Sequence, residues 1–83
     1  SIRDGLAEIV EAEALETSPL VGTPLKEIKL PSGILIGAIL RDGEVIIPRG
    51  DSVIAAHDRV VVFAAASAVR KFEKMFAVSL EFF

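Results

Sequence analysis

The chain contains no cysteine. That excludes disulfide bridges and thiolate metal sites, and it suits a reducing compartment. A single histidine, His57, leaves a histidine-based metal site without its second imidazole. Nucleophilic catalysis of the Ser-His-Asp kind needs an imidazole oriented by one group and facing a hydroxyl. Asp58 is the immediate neighbour of His57 in a predicted turn, a poor geometry for an orienting carboxylate, so His57 reads as an exposed turn histidine. No run approaches the ~20 apolar residues that cross a bilayer; the longest, 60–69, is interrupted by Ser67. The start, Ser1-Ile2-Arg3-Asp4-Gly5, has no apolar segment of a secretory signal, and without an initiator Met it reads as a piece of a longer chain. The nine Lys and Arg residues form no basic stripe; only Arg70, Lys71 and Lys74 cluster, with Glu73 among them. Nucleic-acid binding therefore lacks its electrostatic footprint. Gly33 and Gly37 sit in no GxGxxG pattern, so no dinucleotide fingerprint is present.

What the chain does have is apolar residues: 52% of 83, with a formal charge of −3. That length makes one domain, which buries roughly 60% of its unfolded surface. A core of that size is marginal alone, and so high an apolar fraction predicts surface reserved for a partner.

Two apolar runs, 34–40 and 45–47, flank Arg41-Asp42-Gly43-Glu44. Asp-Gly between strand-like runs predicts a tight hairpin, because the turn needs positive φ and Gly supplies it. Pro48 ends the second run, since it cannot donate to a ladder. Residues 34–40 are apolar on both faces, which predicts a central strand covered twice. Residues 59–64 are rich in β-branched side chains and read as a second buried strand. Thr23-Pro24 predicts a short helix with Thr23 as its cap, ending near Lys29. Ser67 is placed to cap a closing helix on which Val69, Phe72 and Phe76 make one stripe beside Ala68 and Met75, with Arg70, Lys71, Glu73 and Lys74 on the wet face. In residues 77–83, Val78, Leu80 and Phe82 alternate with Ser79, Glu81 and Phe83, as in an edge strand or a docking arm. Residues 6–16 satisfy neither period cleanly; Ala and Glu favour helix on propensity alone.

Candidate chemistry is sparse. Glu8, Glu11, Glu13 and Glu16 form an acidic run that reads as a solvated face; as a strand, Glu11 and Glu13 would point the same way, toward a hard cation at best. Arg49-Gly50-Asp51 matches an adhesion tripeptide, but a turn explains its Gly and Asp. The remaining candidate is an apolar ledge of Ile46, Ile47 and Pro48 flanked by Arg41 and Arg49. Guanidinium beside an apolar ledge suits an anionic heterocycle, since Arg pairs with phosphate and stacks. The competing reading makes the isoleucines core or dimer interface and the arginines solvated.

The segments Ser18-Pro19-Leu20-Val21-Gly22-Thr23-Pro24-Leu25, Leu30-Pro31-Ser32-Gly33, Ile36-Gly37-Ala38-Ile39, Arg41-Asp42-Gly43-Glu44, Ile46-Ile47-Pro48-Arg49-Gly50-Asp51 and Asp58-Arg59-Val60-Val61-Val62-Phe63, in that order and spacing, resemble the TrkA C-terminal domain family, also called the RCK C-terminal domain. The ending, 78–83, is similar to the C-terminus of proteobacterial members of Trk potassium uptake systems. The resemblance implies an α+β fold, a largely antiparallel sheet of four to five strands with two helices, pairing as a homodimer. It turns residues 6–15 into a strand. It divides the chain into a lead-in (1–5), a regulatory domain (6–76) and a tail or edge strand (77–83). It also implies a non-enzymatic, cytoplasmic role at the inner face of the plasma membrane, without insertion, acting on a membrane potassium transporter through the full-length protein. NAD(H) or ATP would be held by a preceding RCK domain, with no cofactor in this one. Some family members bind cyclic di-AMP at the dimer interface through apolar residues, an Arg and an Asn; here Ile39 and Val45 stand at those two positions. Other members attach to anion permeases or proton antiporters, and a stand-alone nucleotide or cation sensor is the alternative role.

Overall fold

The computed structural model describes residues 2–83. Five strands form one sheet: β1 (Ala7–Ala14), β2 (Ile34–Arg41), β3 (Glu44–Ile46), β4 (Arg59–Ala65) and β5 (Val78–Phe82), with a helix, α1 (Val69–Phe76), between the last two. Their spatial order is β3-β2-β4-β1-β5, and every pairing is antiparallel.

The hairpin forms where Asp42-Gly43 predicts it. Asp42 and Gly43 have φ of 51° and 77°, the double positive of a type I′ turn. Residues 6–15, ambiguous by propensity, contain β1, as the resemblance implies. Pairing overrides helix preference there: Val10, Ala12 and Ala14 are buried, while Glu11 and Glu13 alternate outward. The final alternating segment is the edge strand β5, laid against β1 from Val10↔Phe82 to Ala14↔Val78.

The core lies on one face of the sheet. Val10, Ile36, Ile39, Val60 and Val62 point into it, and Val69, Phe72 and Phe76 of α1 cover it as the stripe predicts. The Phe72 and Phe76 rings pack in a tilted arrangement, 44° between planes, at a 5.4 Å centroid separation. Buried Ser18 ties the loop after β1 to the end of α1, its hydroxyl donating to the Phe76 carbonyl and accepting from Leu20 N–H.

Three expectations need correction. Thr23 caps no helix: Leu25–Glu27 make a single 3-10 turn with Pro24 at its cap. The Leu25 and Lys26 N–H groups donate instead to Ser52 and Gly50 carbonyls (3.0 and 2.8 Å), and Ile28 is already extended, so the segment is drawn alongside 50–52. Ser67 lies inside a 3-10 turn, Ala66–Ala68, and Ala68 takes the cap position of α1 with no side-chain bond. The fold thus has one α-helix plus 3-10 turns. Finally, β2 is covered once: Ile36 and Ile39 are buried, but Leu35 is 63% exposed, because among the described residues no element covers the other face.

Candidate functional site

Arg41 ends β2, and its guanidinium is already engaged. Nε and Nη2 clasp the Asp58 carboxylate (2.9, 3.1 and 2.6 Å), and Nη2 also donates to the Val53 carbonyl at 3.0 Å. Asp58 is 4% exposed and accepts a further bond from Ala55 N–H at 2.9 Å. Burial alone would raise this carboxyl. The bonds from Arg41 and Ala55 and the nearby positive charge outweigh it and hold the group below the ordinary carboxylate value. Arg41 is raised in turn, chiefly by its bond to Asp58. The pair staples the hairpin to the turn before β4, and the groove beside it, about 430 Å³, runs from Leu40 to Gly43 and across 55–59.

The other ledge residues lie elsewhere. Ile46 faces inward opposite Ile39 and packs on the core, whereas Ile47 is 73% exposed. Pro48 and Arg49 line a second groove of about 280 Å³, floored by Leu25, Leu30, Leu35 and Ile36, with Lys26 on its wall. The structure thus brings Pro48, Arg49 and Lys26 together and sets Arg41 apart in the other groove. Lys26 has no signal in the sequence; only the 3-10 turn carries it beside Gly50.

The outer face of the sheet is open. Leu35 and Phe63 are cross-strand partners, as are Leu40 and Val45, and Ile9 pairs with Phe63 from the other side. Leu35, Val45 and Phe63 are 63%, 65% and 43% exposed. A Cβ on Gly37 would sit 2.4 Å from the Phe63 ring, so the absent side chain lets that ring lie flat on the sheet.

Toward β5 the same face becomes charged. Arg59, opposite Glu13 across β4 and β1, bonds to Glu11 and Glu81 and lies 3.7 Å from Glu13. Its guanidinium is raised, first by the bond to Glu11. Arg59 thereby takes up the two carboxylates that the acidic run offers on this face. His57 occupies an exposed turn, as expected, at a left-handed φ of 70°. Its ring lies between Glu13 (Nδ1, 3.2 Å) and Glu16 (Nε2, 3.4 Å), and the bond to Glu13 is the main cause of its raised pKa, followed by that to Glu16. These ion pairs join residues 41 and 44 positions apart, and nothing in the local sequence announces them.

The described residues form a small α+β fold whose sheet is closed on one face by a helix and open on the other. Residues 9–77 match the model of the TrkA-C domain, and the chain belongs to that family. It is similar, 57% identical over 83 residues, to the Trk system potassium uptake protein TrkA of Azorhizobium caulinodans, covering 100% of this chain and 18% of that protein. It is also similar to Trk system potassium uptake protein TrkA homolog 2 of Methanosarcina mazei, at 49% over 70 residues, covering 84% of this chain and 16% of that one. The chain therefore spans under a fifth of these relatives. A solved chain described as "Structure of RCK domain with cda" has the same fold, with a TM-score of 0.73 at 23% identity over 83% of this chain and 97% of that chain. Among the described residues no helix is long and apolar enough to cross a membrane.

Proposed function

We propose that this chain is a non-catalytic, cytoplasmic regulatory domain that pairs with a second copy and couples a ligand signal to potassium uptake at the plasma membrane. The observation that carries the reading is the open outer face, where exposed Leu35 and Phe63 pair across β2 and β4 and exposed Val45 stands further along it opposite Leu40. Continuous apolar surface of this kind is what a partner covers, and a twofold contact lets one patch meet itself. Membership of the TrkA-C family and the printed names of the relatives support potassium uptake as the process served. In the whole protein a preceding domain supplies the NAD(H) or ATP site and the membrane transporter is the partner; neither nucleic acid nor membrane insertion has a role.

Of the candidate residues Arg41, Ile46, Ile47, Pro48 and Arg49, the ligand signal is read at Pro48 and Arg49, because Asp58 engages Arg41 and Ile46 packs on the core. Its favoured seat is the groove at Pro48 and Arg49, where Lys26 adds a second cation to an apolar floor. Among the described residues neither Lys26 nor Arg49 is ion-paired.

Sedimentation at ~100 µM, far above the dissociation constant of an ordinary dimer, tests the pairing: a dimer supports it and a monomer overturns it. Thermal-shift measurements with nucleotides and cations test sensing. A ligand at 100 times its dissociation constant adds about 2.7 kcal/mol; no shift with any of them removes sensing and leaves the assembly role.

A further inference from the structure

The two edges of the sheet are unlike. At one, β3 is three residues long and Pro48 follows it closely, which blunts the edge. At the other, β5 presents five residues, Val-Ser-Leu-Glu-Phe, with no proline, lysine or bulge. Phe83 N–H donates to the Ile9 carbonyl at 3.1 Å, and Glu81 and Ser79 face Glu11 and Glu13. Because antiparallel hydrogen bonding alternates, the odd-numbered residues of this strand bond to β1. Val78, Leu80 and Phe82 therefore turn their main-chain groups outward. The side chains of these same three residues lie on the inner face, where Leu80 is half-buried and Phe82 is 50% exposed.

We propose that β5 is a second self-association surface: two copies join β5 to β5 antiparallel, with the twofold axis at Leu80, into one ten-stranded sheet. This register sets Leu80 against Leu80 and Val78 against Phe82 as hydrogen-bonded pairs, giving about six main-chain bonds. It sets Ser79 against Glu81, a hydroxyl donor facing a carboxylate that Arg59 already partly neutralises. A one-residue shift of the axis to Glu81 would set Glu81 against Glu81, and like charges directly opposite repel. A second copy is the occupant because every pair in this register is complementary and the strand is its own complement. The surface is separate from the outer face, so a chain using both assembles beyond a dimer.

Cross-linking tests it, helped by the absence of native cysteine. Facing residues would have Cα atoms about 4.5 or 5.5 Å apart, within disulfide reach, whereas diagonal ones at roughly 7–8 Å are outside it. Mild oxidation of Ser79→Cys mixed with Glu81→Cys is expected to give several-fold more covalent dimer than either variant alone, and Leu80→Cys is expected to cross-link with itself. Phe82→Pro, which removes an outward donor and no bond to β1, is expected to weaken association in sedimentation. Running both measurements with Leu35→Ser and Val45→Ser also present removes the outer face from the experiment. If folded protein there stays monomeric and the mixture cross-links no more than its components, the edge contact is overturned while the outer-face dimer stands. A wild-type dimer that Phe82→Pro breaks and that Leu35→Ser with Val45→Ser leaves intact overturns only the outer-face reading.

Discussion

The two faces of this sheet are built from the same strands and do opposite things. On the inner face, Val60, Val62 and Ile39 are at most 1% exposed, and α1 closes over them. On the outer face, Phe63, next to Val62, and Leu35, next to buried Ile36, stand in water. Alternation alone does not produce this: a sheet with one wet face carries polar residues there, and β5 and the lower half of β1 obey that rule with Glu81, Glu11 and Glu13. The exceptions gather at β2, β3 and β4. The inner face explains why the chain folds, and the apolar half of the outer face is surface that folding of one copy leaves unused.

Phe72→Ala should separate the faces most sharply. It removes the buried ring that closes the inner one and is expected to cost about 3–5 kcal/mol, read by denaturant melting. Asp58→Ala comes next, at about 2 kcal/mol, because it unpairs Arg41 and leaves Ala55 N–H without its acceptor. The Asp58 value is depressed in the fold, so its contribution is present above the ordinary carboxylate value and is lost as pH falls through the folded one. The acid limb of wild-type stability should therefore be steeper than that of Asp58→Ala. Leu35→Ser with Val45→Ser should alter stability by under ~1 kcal/mol, as exposed substitutions do, while the sedimenting species loses the outer-face contact and keeps only association through β5. A large loss of stability would mean that the two faces are not independent. The smallest effect belongs to His57, whose value is raised by Glu13 and Glu16. Its stabilisation is full below the ordinary histidine value and fades as pH rises through the folded one. The melting-temperature advantage of wild type over His57→Asn, which also tolerates the left-handed φ, should shrink as pH rises above the ordinary histidine value.

The parts of the fold legible in the sequence were those fixed by local chemistry: Asp42-Gly43 for the hairpin, the Val69-Phe72-Phe76 stripe for α1, and the alternation of β5. For β1 the residues alone pointed both ways, since Ala12 and Ala14 are good helix formers that here belong to the buried core cluster. Only the family resemblance resolved it. The misplaced caps at Thr23 and Ser67 share a cause. Capping rules describe an isolated helix end, and in both places the backbone donors or the turn geometry are taken over by neighbouring segments. The site was less legible than the fold. Arg41 and Arg49 look equivalent in sequence, one on either side of the same ledge, yet a carboxylate 17 residues away engages the first. That pairing depends on β2 and β4 lying side by side, which no local pattern encodes.

Gly37 has one more implication. With no side chain there, the Phe63 ring rests on the backbone and the outer face stays level. Adding a single methyl group would tip the ring outward and turn a plain into a ridge, while the core behind the sheet kept its packing. Residue 37 is therefore a contour control. By changing size at this one position, a lineage could redraw which surfaces fit the domain while leaving its fold unchanged.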